Sequence, residues 1–130
     1  MGHPNEDIVR GGYAAFETGD MDALRTYLSP DIIWHEPGDN PMSGDYKGID
    51  ETLGHFGDIV QRTGGNFRAS IHDVLANDSH AVVLGHVRAE REGGKVLDQD
   101  YLHVFHLTDG KATESWIHNT DQAADDEFWN

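Results

Sequence analysis

Cysteine is absent from the 130 residues, which excludes disulfides and thiolate metal centres and leaves packing and hydrogen bonds to hold the fold. Absence of cysteine is compatible with any compartment. A cytoplasmic location is the expectation because Met1 to Asp7 is polar, with neither the basic start nor the apolar run of a secretory leader. Long hydrophobic stretches are missing too, and nothing approaches the roughly 20 apolar residues of a membrane-spanning helix. Basic residues are few: 9 Lys and Arg stand against 24 Asp and Glu, a formal net charge of -15. Such a surface repels phosphate backbones and anionic headgroups, so neither nucleic acid nor a membrane is an expected partner. The acids are spread along the chain rather than gathered in a block, the pattern of a solubilising surface. There is no nucleophilic-serine elbow, phosphate loop or dinucleotide-binding glycine pattern, and Gly11-Gly12 falls inside a helical stretch. Repeats, linkers and low-complexity segments are lacking, and the length suits one domain over residues 1–130.

What is present is patterned. Asn5 with Glu6 and Asp7 reads as a helix start, followed by an apolar stripe of Ile8, Gly12 and Phe16 flanked by Val9 and Tyr13, and closed by Gly19. Asp20 caps a short second helix with Met21, Leu24 and Leu28, which Pro30 stops. Asp31 to Glu36 alternates as a strand, with Ile32, Trp34 and Glu36 on one face. Pro37 to Tyr46 reads as a loop, and a third helix runs from about Ile49 to Arg62. Strands follow at Phe67 to Ala76, Ala81 to Glu92, Val96 to Leu107 and Lys111 to Thr120, with turns at Asn77-Asp78, Gly93-Gly94 and Asp109-Gly110. Gln122 to Trp129 reads as a last helical turn packing Phe128 and Trp129. Helices first and hairpins after them imply an α+β fold: a bent, largely antiparallel sheet with helices on one face and a pocket between.

Three segments carry a resemblance: Tyr13 to Asp20, Leu28 to Pro37 and Gly48 to Leu53, together with the Phe105 to Lys111 hairpin and the Asp121 to Trp129 ending. They are similar to SnoaL-like and ketosteroid-isomerase-like proteins of the nuclear transport factor 2-like superfamily. The resemblance implies a cone-shaped, cystatin-like α+β barrel, and a cofactor-independent enzyme of isomerase, cyclase or hydratase type. The fold also serves as a plain binding or dimerisation module, which is the alternative. In steroid isomerases the proton-shuttling aspartate ends the first strand before a proline loop, and here that place is Glu36-Pro37. The oxyanion-hole tyrosine of those enzymes falls on Gly12, with Tyr13 beside it directed elsewhere, and their protonated aspartate falls on His103.

Alternation extends the candidate pocket. His103 facing inward brings Tyr101, Phe105 and Leu107 with it. Counting back through a Gly93-Gly94 hairpin, by that resemblance, puts Leu84, His86 and Arg88 on the same side. Glu36, His86 and His103 are then the candidate catalytic set. Trp34, Tyr101, Arg88, Phe105, Leu84, Tyr13 and Phe56 are the candidate contacts for a small, largely apolar, cyclic or carbonyl-bearing ligand. The bland alternative pairs Glu36 with Arg88 in the sheet and leaves the aromatics as core. Nine histidines raise the question of a metal, but residues three apart on a strand, such as His103 and His106, diverge, and no His-Glu-x-x-His helix exists. No metal and no cofactor is expected. Val83, Val87, Ala89, Trp116 and Ile117 exceed what one helical layer covers, so a homodimer through the outer sheet face is expected.

Overall fold

The computed structural model describes residues 2–130. Helix α1 (Pro4–Thr18) begins two residues before the sequence suggests: His3 is the N-cap, its ring accepting from the Asn5 amide, and Pro4 occupies the first turn where no amide partner is needed. Gly19 ends it in the left-handed conformation, φ 71°. Helix α2 (Met21–Tyr27) is capped by Asp20, whose carboxylate accepts from Ala23. The chain then passes directly into strand β1 (Leu28–Glu36), so Pro30 lies in a strand rather than stopping a helix. Strand β2 (Gly44–Lys47) occupies the end of the expected loop and pairs antiparallel with β1. Helix α3 (Ile49–Arg62), strands β3 (Arg68–Ala76), β4 (His80–Arg91), β5 (Lys95–Thr108) and β6 (Lys111–Asn119), and helix α4 (Gln122–Trp129) complete the chain.

The six strands form one sheet in the order β2-β1-β6-β5-β4-β3. Every pairing is antiparallel except β1 with β6, which makes the sheet mixed. One sheet face is buried under the helices, with Ile32, Trp34, Val83, Val87, Leu97, Tyr101, Phe105 and Leu107 all nearly inaccessible. Helix α4 is two full turns, more than the expected single turn. It buries Phe128 and Trp129 against Met42, Ile59, Val87 and Leu97. Arg91 and Lys95 donate to the carbonyls of Phe128 and Glu127, pinning its last turn with cations where the helix dipole is negative. Among the described residues, no helix is long and apolar enough to cross a membrane.

One expectation about faces is overturned. Strands β4 and β5 pair Arg91 with Lys95, so the hairpin loop holds three residues, Glu92 to Gly94, not two. One extra loop residue shifts the register by one and turns a strand over. Val83, Gly85 and Val87 therefore sit beside His103, Tyr101 and Gln99 on the buried face, while Leu84, His86 and Arg88 face outward. Val83, Val87, Ala89 and Ile117 belong to the inner core and cannot argue for an outer partner.

Candidate functional site

Between helices and sheet lies a cavity of about 130 Å³, close to the size that admits a benzene-like ring. Its wall is mostly apolar: Phe16, Tyr27, Trp34, Phe56, Phe67, Phe105 and Trp129 supply the aromatic surface. The polar side chains on it are Tyr13, Glu36, Tyr101, His103, Asn119 and Asp125, with neither Lys nor Arg among the lining residues.

Glu36 stands at the last position of β1, where alternation with Ile32 and Trp34 turns it inward. Its Oε1 accepts from His55 Nε2 at 2.8 Å and from Trp34 Nε1 at 3.2 Å. Among the described residues, no donor reaches Oε2. His55 is supplied by α3, its side chain fully shielded and its ring stacked on Tyr46 with centroids 4.0 Å apart. The bond to Glu36 places the Nε2 proton between the two, while the buried Nδ1 has no partner among the described residues.

A second polar chain crosses from α1 to β5. Tyr13 Oη lies 2.8 Å from Tyr101 Oη and 3.0 Å from His103 Nδ1. His103 is 2 % exposed and packed among Trp34, Phe105 and Tyr13. Burial among these rings pushes its pKa down to about 3, helped by His118, so the imidazole is neutral at physiological pH. Burial also raises both phenols, Tyr101 to about 12 despite the opposing bond from Tyr13, with the Glu36 charge adding to the rise. Both tyrosines are therefore held as donors. The chain has two proton orders. If His103 Nδ1–H donates to Tyr13 and Tyr13 donates to Tyr101, the Tyr101 hydroxyl proton is left for a ligand. The reverse order leaves an N–H at Nε2, an atom buried without a partner among the described residues.

The third polar feature comes from α4. Asp125 is 7 % exposed; Oδ1 accepts from Trp129 Nε1 at 3.1 Å and Oδ2 from Gln122 Nε2 at 3.0 Å. Burial first, and then the Glu36 charge, lift its pKa to about 6.

The residues expected from the sequence thus divide. Glu36, Trp34, Tyr101, His103, Phe105 and Phe56 line the cavity. Tyr13 does so as well, bridging Tyr101 and His103 rather than pointing elsewhere. Leu84, His86 and Arg88 do not, because the three-residue turn puts them on the outer face. His86 lies there between Asp98 and Asp100, whose carboxylates raise its pKa. Arg88 approaches Glu90 and Asp98, and the expected alternative of a Glu36–Arg88 pair is not formed. His55, Asn119 and Asp125 escaped the sequence reading. His55 nevertheless shares an i, i+3, i+4, i+7 stripe with Thr52, Phe56 and Ile59, and Asp125 precedes Phe128 and Trp129 by three and four positions.

Comparison with known proteins places this geometry. The SnoaL-like domain profile matches residues 9–115. An uncharacterized protein of Mycobacterium tuberculosis is 32% identical over 124 residues, 95% of this chain and 94% of its own. Bal32a, from a soil-derived mobile gene cassette, superposes with a TM-score of 0.94 at 37% identity, covering 98% of this chain and 97% of that one. An NTF2-like protein of Burkholderia pseudomallei superposes with a TM-score of 0.86 at 23% identity, covering 98% of each chain.

Proposed function

The chain belongs to the SnoaL-like domain family, and from that premise we propose that it is a cofactor-independent acid–base enzyme acting on a small, neutral, largely apolar ring compound that carries a carbonyl. The observation behind this reading is the setting of Glu36: a carboxylate at the edge of an apolar cavity, oriented through one oxygen by His55 and Trp34, with the other oxygen unclaimed among the described residues. Glu36 Oε2 takes a proton from carbon next to the carbonyl. Tyr101, tied to Tyr13 and through it to neutral His103, donates to the carbonyl oxygen as charge collects there. His103 acts through the tyrosines, and His86 and Arg88 have no part. The aromatic wall supplies affinity for the ring.

Exchange of the α-protons of cyclohexanone in D₂O, followed by NMR, tests this without knowledge of the natural substrate. The wild type is expected to accelerate exchange, and Glu36→Gln to lose about 10²–10⁴-fold of that acceleration, with cyclohexanone affinity within a few-fold. Equal exchange by both proteins would leave a binding module as the function of the pocket.

A second copy of the chain is the partner we infer for the outer sheet face. Leu84, Leu102, Val104 and Trp116 lie on that face, and Leu102 and Leu75 are exposed. Sedimentation at micromolar concentration should give twice the chain mass, and the single-chain mass would refute the pairing.

A further inference from the structure

We propose that Asp125 is the second proton-transferring group of this pocket, the acid partner of Glu36, and that α4 is accordingly part of the catalytic machinery and not only a cover for the core. The inference rests on Glu36 being the base.

Three observations converge on it. Asp125 and Glu36 are the two carboxylates on the cavity wall, and they arrive from different elements, α4 and the end of β1. Each is fixed by an indole N–H and a second nitrogen donor: Trp34 and His55 for Glu36, Trp129 and Gln122 for Asp125. A carboxylate with no function in so apolar a site would be a poor exchange for an amide or an alanine, because burying charge without a cation is costly. The two elements are also stitched together. The loop after Glu36 bonds to α4 through Asp126, which accepts from the Asp39 amide and the Asn40 side chain at 2.9 and 2.7 Å. Gln122 spans Asp125 and Asp126, and its own oxygen accepts from Asn119.

The groups acting on Asp125 explain how it holds a proton. From its own helix, Gln122 and Trp129 donate to it and stabilise the anion, while Asp126 repels it; from β1, Glu36 repels it. Burial and the Glu36 charge outweigh the two donors, so the proton stays on Asp125 well above the ordinary carboxylate range. Two carboxylates pushed apart in proton affinity divide the roles of base and acid.

A base at carbon together with an acid at oxygen is the requirement for removing or adding water. With a β-hydroxy ketone, Glu36 takes the proton from the carbon beside the carbonyl and the C–H electron pair becomes the C=C bond. The C–O bond then breaks and hydroxide leaves as water on receiving the Asp125 proton. Glu36 ends protonated and Asp125 ionised, and exchange with solvent restores both.

The test has a part that needs no substrate. The Trp129 indole N–H bonds to Asp125, so its ¹⁵N–¹H signal reports Asp125 directly. That signal should titrate with a midpoint of about 6 in the wild type, move to lower pH in Glu36→Gln, and lose the transition in Asp125→Asn. The second part follows conversion of 3-hydroxycyclohexanone to the enone by absorbance. Wild-type turnover should fall as pH rises above that midpoint. Asp125→Asn should lose about 10²-fold or more along with that pH dependence, and Asp125→Glu should recover part of both. A Trp129 midpoint near 4 that ignores Glu36→Gln would overturn the proposal. So would matching pH profiles for the wild type and Asp125→Asn, or no enone from a wild type that still exchanges cyclohexanone. In each of those cases Glu36 as base would stand, whereas loss of the proposed function would show first in the exchange assay.

Discussion

Asp125→Asn should make the protein relatively more stable as pH rises, an unusual outcome for removing a doubly hydrogen-bonded carboxylate. The folded-state pKa of Asp125 is raised from 3.8 to about 6, so between those values the folded chain holds a proton that the unfolded chain has lost. The contribution of Asp125 to stability therefore falls through this window and stays low above it. Two pKa units correspond to about 3 kcal/mol. Asparagine keeps the shape and the acceptor for Trp129 but has no charge to desolvate. Whatever constant offset the lost carboxylate contacts impose, the variant-minus-wild-type stability should grow by about 2 kcal/mol between pH 4 and pH 7, because the unfolded carboxyl is already partly ionised at pH 4. His103 titrates over an overlapping range with the opposite sign, so the wild-type curve alone hides the effect and only the difference curve shows it. Urea unfolding followed by circular dichroism at pH 4, 5, 6, 7 and 8 measures it. A difference that is flat with pH, or that shrinks as pH rises, would refute the argument.

His103 carries the complementary expectation. Its pKa is depressed to about 3 in the fold, so the unfolded chain takes up a proton below pH 6.5 that the folded chain does not, and stability falls as pH drops. His103→Asn should reduce the loss between pH 7 and pH 4 by about 3 kcal/mol, read from the same urea curves. Gly85→Ala would put a Cβ 2.5 Å from Tyr101 Cζ, forcing the ring away from Tyr13. A loss of about 1–3 kcal/mol is expected for such overpacking, with a changed near-ultraviolet spectrum, and an unchanged melting temperature would contradict the contact. His86→Ala should leave cyclohexanone exchange within a few-fold of the wild type, because His86 lies on the outer face, and a larger loss would put that face assignment in error.

The elements were legible where local signals were strong. Asp20 marked the start of α2, the 49–62 periodicity gave α3, and the alternation of Trp34 with Glu36 turned the carboxylate inward. What failed was a count. Leu84, Val82, Val83 and Val87 make β4 apolar on both faces, so the strand by itself does not say which side is buried. A loop of two or three residues at Gly93-Gly94 then decides it, and both lengths are common. The neighbouring strand held the answer: Asp98 and Asp100 alternate with Leu97, Gln99 and Tyr101, and acids opposite Arg88 and His86 require those residues to face outward. His55 and Asp125 were missed for a different reason. Both lie on apolar helical stripes where a polar residue reads as an interruption, and only the packing of α3 and α4 onto the sheet reveals a shared cavity.

The lining of that cavity has a consequence for traffic. Among the described residues its formal charges are acidic, so the pocket sorts ligands by sign before shape is considered. An anion is disfavoured there by Glu36 and Asp125, whereas a protonated amine of the same outline is favoured. Lipophilic amines are thus the natural first library for inhibitors, and carboxylic acids the poorest.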